Sequence, residues 1–160
     1  MTATVYTISD NIPINLREVK GVTVLVTVPA AFSGTCTNIC VPAISDNAAR
    51  IKEAGADLIL IVSEDQPHAI KKWVEHARWN IEKIAFASDF GKFEVKELVG
   101  KLSDEDGKKS LPPTLGELLR RSYSILKDGE VVWQFKEPDS AKYTLDMETL
   151  IKELEKVKGK

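Results

Sequence analysis

Two short, nearly continuous apolar runs constrain the fold of this chain more than any other feature. Residues 22–28 (VTVLVTV) and 56–62 (ADLILIV) are rich in β-branched side chains. Such runs are typical of strands that are covered on both faces, as in parallel sheets whose crossovers carry helices. A similar run at 84–87, with helically spaced apolar residues over 45–54 and 67–79, extends the alternation. The sequence therefore predicts a parallel α/β core.

The second half of the chain predicts an antiparallel ending. Residues 122–126 and 131–135 flank the pair Asp128-Gly129, and Asp-Gly between two apolar runs is a strong hairpin signal. Residues 146–158 carry apolar side chains at helical spacing and predict an amphipathic helix. The order β-α-β-α-β-α-β-β-α predicts an α/β, thioredoxin-like fold in which helices flank a central mixed sheet.

The remaining segments predict smaller elements. Residues 4–14 predict an edge hairpin and residues 91–99 a short helix, whereas residues 103–113 contain two consecutive prolines that exclude a helix. Residues 1–160 contain no repeat, no low-complexity tract and no linker-like change of composition. We therefore expect residues 1–160 to form a single domain.

Composition excludes several classes of partner. With 22 basic and 24 acidic residues the formal net charge is −2, and the runs of like charge are too short to attract nucleic acid or an anionic membrane. No window reaches the roughly 18 apolar residues of a membrane-spanning helix, and the first residues have neither secretory nor transit character. We expect a cytoplasmic protein without nucleic-acid or membrane partners.

The chain has two cysteines, Cys36 and Cys40. They are too close in sequence for a disulfide between them to link distant parts of the fold. Cys36 follows a predicted buried strand and opens a predicted helix, so it lies where α/β sheets place their ligand crevices. The unpaired amides and the dipole of a helix N-terminus favour the thiolate, which is the nucleophilic form. Cys36 is therefore a candidate nucleophile, although its position alone fits an inert buried cysteine equally well.

The residues around Cys36 resemble the active-site motif of the peroxiredoxins, P-x3-[T/S]-x2-C, which this chain matches with Pro29, Ser33 and Cys36. The segment resembles most closely the atypical type II or type V subfamily, especially its fungal alkyl hydroperoxide reductase members. Further matching segments cover nearly the whole chain: the strand, loop and tryptophan of residues 56–73, FASD at 86–89, Arg121 followed by Asp-Gly at 128–129, and EPD at 137–139.

The resemblance implies a role for each motif residue. Cys36 is the expected peroxidatic cysteine, which attacks the O–O bond of hydrogen peroxide or an alkyl hydroperoxide and becomes a sulfenic acid. Ser33 is expected to hold the peroxide oxygens, and Pro29 to shield the site from water. Arg121 is expected to stabilise the thiolate and the charge of the transition state, although from its position alone a solvated arginine at a strand edge is the commoner outcome.

The reaction needs hydrogen-bond donors that strengthen as negative charge moves onto the departing oxygen. The backbone amides of Thr35 and Cys36 are such donors, in addition to Ser33 and Arg121. Thr35 is therefore a candidate substrate-binding residue, and Phe32, three residues earlier, is the second candidate. The resemblance implies chemistry without metal, haem or flavin.

Cys40 departs from the family pattern, in which any resolving cysteine lies elsewhere in the chain. With two cysteines only, turnover proceeds either through a Cys36–Cys40 disulfide or by reduction of Cys36 by an outside thiol, and a packing role for Cys40 fits the sequence equally well. Cβ atoms four residues apart on an α-helix are about 5–6 Å apart, whereas a disulfide needs about 3.5–4.5 Å. A bridge therefore requires unwinding, which Pro42 favours.

The resemblance also implies partners. Thioredoxin, glutaredoxin or glutathione is the expected reductant, and a homodimer is the expected assembly, with Phe32 and the region of Pro42 as apolar contributors. Two other functions remain consistent with the sequence. One is a thiol–disulfide oxidoreductase or redox sensor that uses Cys36 and Cys40, and the other is a non-catalytic thioredoxin-like binding module.

Overall fold

The computed structural model describes residues 3–91, 94–99, 119–139 and 141–159. The strands are β1 Thr4–Thr7, β2 Pro13–Asn15, β3 Val22–Thr27, β4 Leu58–Ser63, β5 Ala85–Ser88, β6 Ser122–Lys127 and β7 Glu130–Lys136. The helices are α1 Val41–Asp46, α2 Ala48–Glu53, α3 Pro67–Ala77, α4 Lys96–Val99 and α5 Met147–Lys158. A π-helical turn, Cys36–Cys40, precedes α1. The predicted irregular stretch at 103–113 lies outside the described residues.

The strands form one mixed sheet in the order β2-β1-β5-β4-β3-β6-β7. The three central strands β3, β4 and β5 run parallel, while β6 pairs antiparallel with β3 and β1 pairs antiparallel with β5. The α/β, thioredoxin-like fold with a mixed sheet is thus confirmed, and so is the edge hairpin, formed by β1 and β2. In the part of the chain that is described, no helix has the length and apolar character needed to cross a bilayer.

The central strands are buried on both faces, as their composition predicts. All six residues of β3 are buried. Val24 and Val26 belong to one hydrophobic cluster, and Leu25 belongs to the other. This alternation follows from the two-residue period of a strand, and it explains why the run is apolar throughout.

The predicted turn between β6 and β7 is confirmed at Asp128 and Gly129. Both residues have positive φ, 50° and 86°, as the two central positions of a type I′ hairpin turn require. A Cβ at Gly129 would lie 1.9 Å from the carbonyl oxygen of Arg17, so the close approach of the two chain segments also requires glycine.

The predicted helix over 45–54 is wrong as a single element, because the helix breaks at Asn47. α1 ends at Asp46 and α2 begins at Ala48. The backbone of Asn47 leaves the helical region, with φ −106° and ψ 6°, while its amide nitrogen Nδ2 donates to the carbonyl oxygen of Ala43 at 2.8 Å. Asparagine side chains offer the backbone such local alternatives to helix.

The helix predicted over 91–99 is shorter than expected, since only Lys96–Val99 is helical in the described residues. Asp89, directly after β5, caps the two residues that precede α4. Its two carboxylate oxygens accept hydrogen bonds from the amides of Glu94 (3.2 Å) and Val95 (3.0 Å). Burial raises the pKa of the Asp89 carboxyl to about 6, although the Val95 and Glu94 amides oppose the shift.

We expect this raised pKa to make folding stability depend on pH. Because the pKa of Asp89 is higher in the folded protein, its contribution to the free energy of unfolding is fully present below about pH 4 and is lost as pH rises through about 6. The free energy of unfolding of the parent, measured relative to Asp89→Asn, should therefore fall between about pH 4 and pH 7. Urea unfolding at several pH values measures this difference, and a constant difference would contradict the prediction.

Candidate active site

The site begins where β3 ends. Residues 28–33 leave the sheet as a loop, and helical backbone begins at residue 34, so Cys36 lies in the first helical turn, as predicted. The Cys36 side chain is 0% exposed. The amide of Val41 donates to the carbonyl oxygen of Cys36, five residues earlier, which makes this turn π-helical rather than α-helical. Such widened turns are frequent at functional sites.

Arg121 reaches this turn from the neighbouring strand. Because β6 pairs with β3 so that Ser122 lies opposite Thr27, the residue before β6 comes next to the end of β3. The Nη2 atom of Arg121 donates to Sγ of Cys36 at 3.2 Å. Arg121 is only 1% exposed, so the interpretation of Arg121 as a solvated strand-edge residue is wrong.

The guanidinium of Arg121 remains charged in this buried environment. Burial by itself lowers the pKa of Arg121, but the charges of Cys36 and Cys40 and the hydrogen bond to Cys36 raise it, and the net change is upward. Arg121 therefore holds a fixed positive charge beside the Sγ atom of Cys36.

The other motif residues surround Cys36 in sequence and differ in burial. The Oγ atom of Ser33 is buried and has no hydrogen-bond partner among the described residues. Pro29 and Thr35 are half-buried, and the hydroxyl of Thr35 donates to the carbonyl oxygen of Ala141 at 2.6 Å. Phe32 is 53% exposed. A buried hydroxyl without a protein partner is costly, which is the arrangement expected of a group that awaits a ligand.

Cys40 is also 0% exposed, on the inner side of the same turn. Its Sγ lies 4.0 Å from the hydroxyl oxygen of Tyr123, and that hydroxyl donates to the carboxylate of Glu137 at 2.8 Å. Burial raises the pKa of the Cys40 thiol to about 11, although the charge of Arg121 lowers it. Cys40 is therefore a neutral thiol at pH 7 in this conformation, and both cysteines are free.

A tryptophan is hydrogen-bonded to the residue that follows Cys36 in the turn. The indole nitrogen Nε1 of Trp73 donates to the hydroxyl of Thr37 at 2.9 Å. The sequence predicts Trp73 as a core or interface aromatic, and the side chain is indeed buried. The sequence does not predict this hydrogen bond, because nothing in the local pattern around Trp73 indicates that Thr37 lies beside it.

The chain is similar to proteins of one known family. A family model described as Redoxin matches residues 1–151. The chain is 32% identical over 110 residues to the chloroplastic Peroxiredoxin-2E of Arabidopsis thaliana, which is 69% of this chain and 44% of that protein. It is 42% identical over 66 residues to Peroxiredoxin-2C of Oryza sativa subsp. japonica, which is 41% of this chain and 40% of that protein. The chain thus spans less than half the length of either relative.

The fold also has a solved counterpart. The reduced Prx3 of Vibrio vulnificus, in a crystal structure in complex with hydrogen peroxide, matches with a TM-score of 0.77 and 24% sequence identity. The match covers 96% of this chain and 91% of that one. At this level of identity the likeness concerns the fold.

Proposed function

Because the chain belongs to the Redoxin family, we propose that it is a thiol-dependent peroxidase that reduces hydrogen peroxide and small alkyl hydroperoxides with Cys36 as the nucleophile. The resemblance to peroxiredoxins is confirmed by the family model and by the named relatives; the type II or type V subfamily stays a prediction. The observation that carries the proposal is the hydrogen bond of 3.2 Å from Arg121 Nη2 to the buried Sγ of Cys36.

The proposed reaction is a displacement at oxygen. The Cys36 thiolate attacks one peroxide oxygen, the S–O bond forms and the O–O bond breaks. The departing oxygen leaves as water or alcohol after it takes up a proton, and Cys36 becomes a sulfenic acid. Sulfur is thus oxidised by two electrons and the peroxide is reduced by two.

Two groups support the transition state in this proposal. Arg121 offers several donors in one plane and a permanent charge, so it stabilises the sulfur before attack and the oxygen charge during it. The Ser33 hydroxyl, which is buried and lacks a partner in the described part of the chain, is free to bond a peroxide oxygen. In the same proposal Pro29 is the residue that shields the site from water, and Thr35 and Phe32 are the substrate-binding residues.

Stopped-flow measurement of the fully reduced protein with hydrogen peroxide tests this function. A fast second-order reaction, followed by the change in tryptophan fluorescence or by competition with a known peroxidase, is the expected result. Rapid exchange with protein disulfides but slow reaction with peroxide would identify a thiol–disulfide oxidoreductase. Slow reaction with both would identify a binding module.

Cys40 is the proposed resolving cysteine. The Cys40 thiol attacks the sulfenic sulfur of Cys36, the S–S bond forms and water leaves. Closeness in sequence supports this role, and so does the charge of Arg121, which acts on both thiols. The raised pKa of buried Cys40 opposes it, so the π-helical turn has to open before Cys40 loses its proton. The Cβ separation expected for an α-helix does not apply to the turn Cys36–Cys40, because the backbone of this turn is π-helical.

We expect the Cys40→Ser variant to separate the two cysteine mechanisms. After one equivalent of peroxide the parent should lose two hydrogens from its intact mass, as a disulfide requires, whereas Cys40→Ser should gain one oxygen. Intact-protein mass spectrometry distinguishes these products. If Cys40→Ser turns over as fast as the parent with the same reductant, Cys40 is a packing residue and an outside thiol reduces Cys36 directly.

The reductant in this proposal is thioredoxin, glutaredoxin or glutathione. Because Cys36 and Cys40 are both 0% exposed, a protein reductant reaches either sulfur only after the turn opens. Turnover measured with each reductant in parallel identifies the physiological class of donor.

We also propose an assembly and a location for the protein. A homodimer is supported by two exposed apolar side chains near the site, Phe32 and Ile39, at 53% and 50% exposure. Sedimentation that shows a monomer in both redox states would contradict the homodimer.

A cytoplasmic location is supported by the two free thiols, which suit a reducing compartment. The chloroplastic name of one relative makes organelle targeting the alternative that imaging of the tagged protein would test.

A further inference from the structure

Asp65 binds the segment that leads from β3 to Cys36, although it lies outside the motif. Its Oδ2 atom accepts a hydrogen bond of 2.7 Å from the backbone amide of Ala31. Because β3 and β4 are parallel neighbours, with Thr27 opposite Val62, the residues that follow the two strands leave the sheet side by side. The Asp65 carboxylate therefore bridges two loops at the carboxyl ends of these central strands, where Cys36 lies.

Asp65 is itself held in place by two buried serines. The hydroxyl of Ser63 donates to the same Oδ2 atom, and the amide of Asp65 donates to the Ser63 hydroxyl at 3.0 Å. On the other side, the hydroxyl of Ser88 donates to the carbonyl oxygen of Asp65. Ser63 and Ser88 are each 1% exposed and pair across β4 and β5. A carboxylate with these contacts is a rigid anchor and not a mobile surface charge.

The anchored segment has a backbone that needs support. Phe32, directly after Ala31, has φ 63°, a conformation that residues other than glycine adopt rarely. The Phe32 ring lies 6.4 Å from that of Trp73 and 5.9 Å from that of His76, measured between centroids. Asp65 holds the backbone before Phe32 and the two rings hold its side chain. The next residue is Ser33, whose buried hydroxyl has no partner in the described part of the chain.

We propose that Asp65 is a positioning residue for the peroxide reaction: through the Ala31 amide it fixes residues 29–33, and so keeps Ser33 and Pro29 in place beside Cys36. This inference rests on the proposed function. It assigns Asp65 no contact with peroxide and no proton transfer. Its physical basis is that a misplacement of about 1 Å in reacting groups costs up to about 100-fold in rate.

Three variants test the proposal. Asp65→Ala removes the acceptor of the Ala31 amide, whereas Asp65→Asn keeps an oxygen acceptor and removes the charge. The matched control is Asp57→Ala. Asp57 makes the same kind of contact at the opposite ends of the same two strands, where its Oδ2 accepts from the Val22 amide at 2.8 Å.

The first readout is the second-order rate constant of the reduced protein with hydrogen peroxide, as a function of pH. We expect Asp65→Ala to lower this rate constant at least about tenfold. The pH at which the rate constant reaches half its maximum should not change, because Arg121 still bonds Cys36. Asp65→Asn should restore a rate near that of the parent, and Asp57→Ala should leave it unchanged. Equal losses in Asp65→Ala and Asp57→Ala, an unchanged rate in Asp65→Ala, or no recovery in Asp65→Asn would overturn the proposal.

The second readout does not depend on activity. Amide hydrogen exchange of a peptide covering residues 29–35 should be faster in Asp65→Ala than in the parent and unchanged in Asp57→Ala. Unchanged exchange in Asp65→Ala would overturn the anchoring role, whether or not the parent reacts with peroxide. A parent that does not react with peroxide would contradict only the proposed function. If Asp65→Ala does not fold, Ser63→Ala keeps the carboxylate but releases it, and should change both readouts in the same direction.

Discussion

The Cys36→Ser variant is expected to lose peroxide reduction altogether, a fall of more than roughly 10⁴-fold in the second-order rate constant. In the proposed reaction the sulfur of Cys36 is the atom that is oxidised, and a serine hydroxyl is a far weaker nucleophile at neutral pH. Stopped-flow kinetics with hydrogen peroxide measures the loss. The folded structure should persist, because a hydroxyl is smaller than a thiol and is able to accept the Arg121 hydrogen bond.

Cys40→Ser is the matched control for this prediction. It makes the same atomic change four residues away, in a side chain that is equally buried. Its first encounter with peroxide should proceed at a rate close to that of the parent, because Cys36 and Arg121 are intact. If Cys36→Ser still consumed peroxide, or if only Cys40→Ser abolished consumption, Cys36 would not be the nucleophile.

Arg121→Ala is expected to slow the peroxide step by about 100-fold to 1,000-fold, the loss typical of removing one donor that stabilises transition-state charge. The guanidinium lies 3.2 Å from the Cys36 sulfur, so its removal takes away both a charge-assisted hydrogen bond and the positive charge beside the reacting atom. The rate constant for peroxide, measured over a range of pH, separates a loss of thiolate from a loss of transition-state stabilisation.

The adjacent arginine offers a control for Arg121. Arg120 is equally buried, at 1% exposure, but its Nη2 atom donates to the carbonyl oxygen of Glu137 at 2.9 Å. Arg121→Lys should lose most of the rate, because lysine keeps the charge without the planar set of donors, while Arg120→Lys should change the rate much less. Equal effects of the two lysine variants on rate and on urea stability would mean that Arg121 is structural.

The sequence by itself determined the features that depend on near neighbours in the chain. The apolar runs at 22–28 and 56–62 predict strands that are covered on both faces, and β3 and β4 are those strands. The Asp128-Gly129 turn predicts a hairpin because its φ angles are a property of two residues. The motif from Pro29 to Cys36 likewise lies within eight residues, and the resemblance that it carries is confirmed by the family model.

The tertiary structure alone decided which distant groups meet. The side chains of adjacent residues in an extended segment point to opposite sides, so at most one of Arg120 and Arg121 contacts Cys36. The register of β6 against β3 determines that this residue is Arg121. The contact of Asp65 with Ala31 depends on the parallel pairing of two strands. Hydrogen bonds between residues tens of positions apart leave no local pattern, because strand pairing rather than sequence spacing creates their geometry.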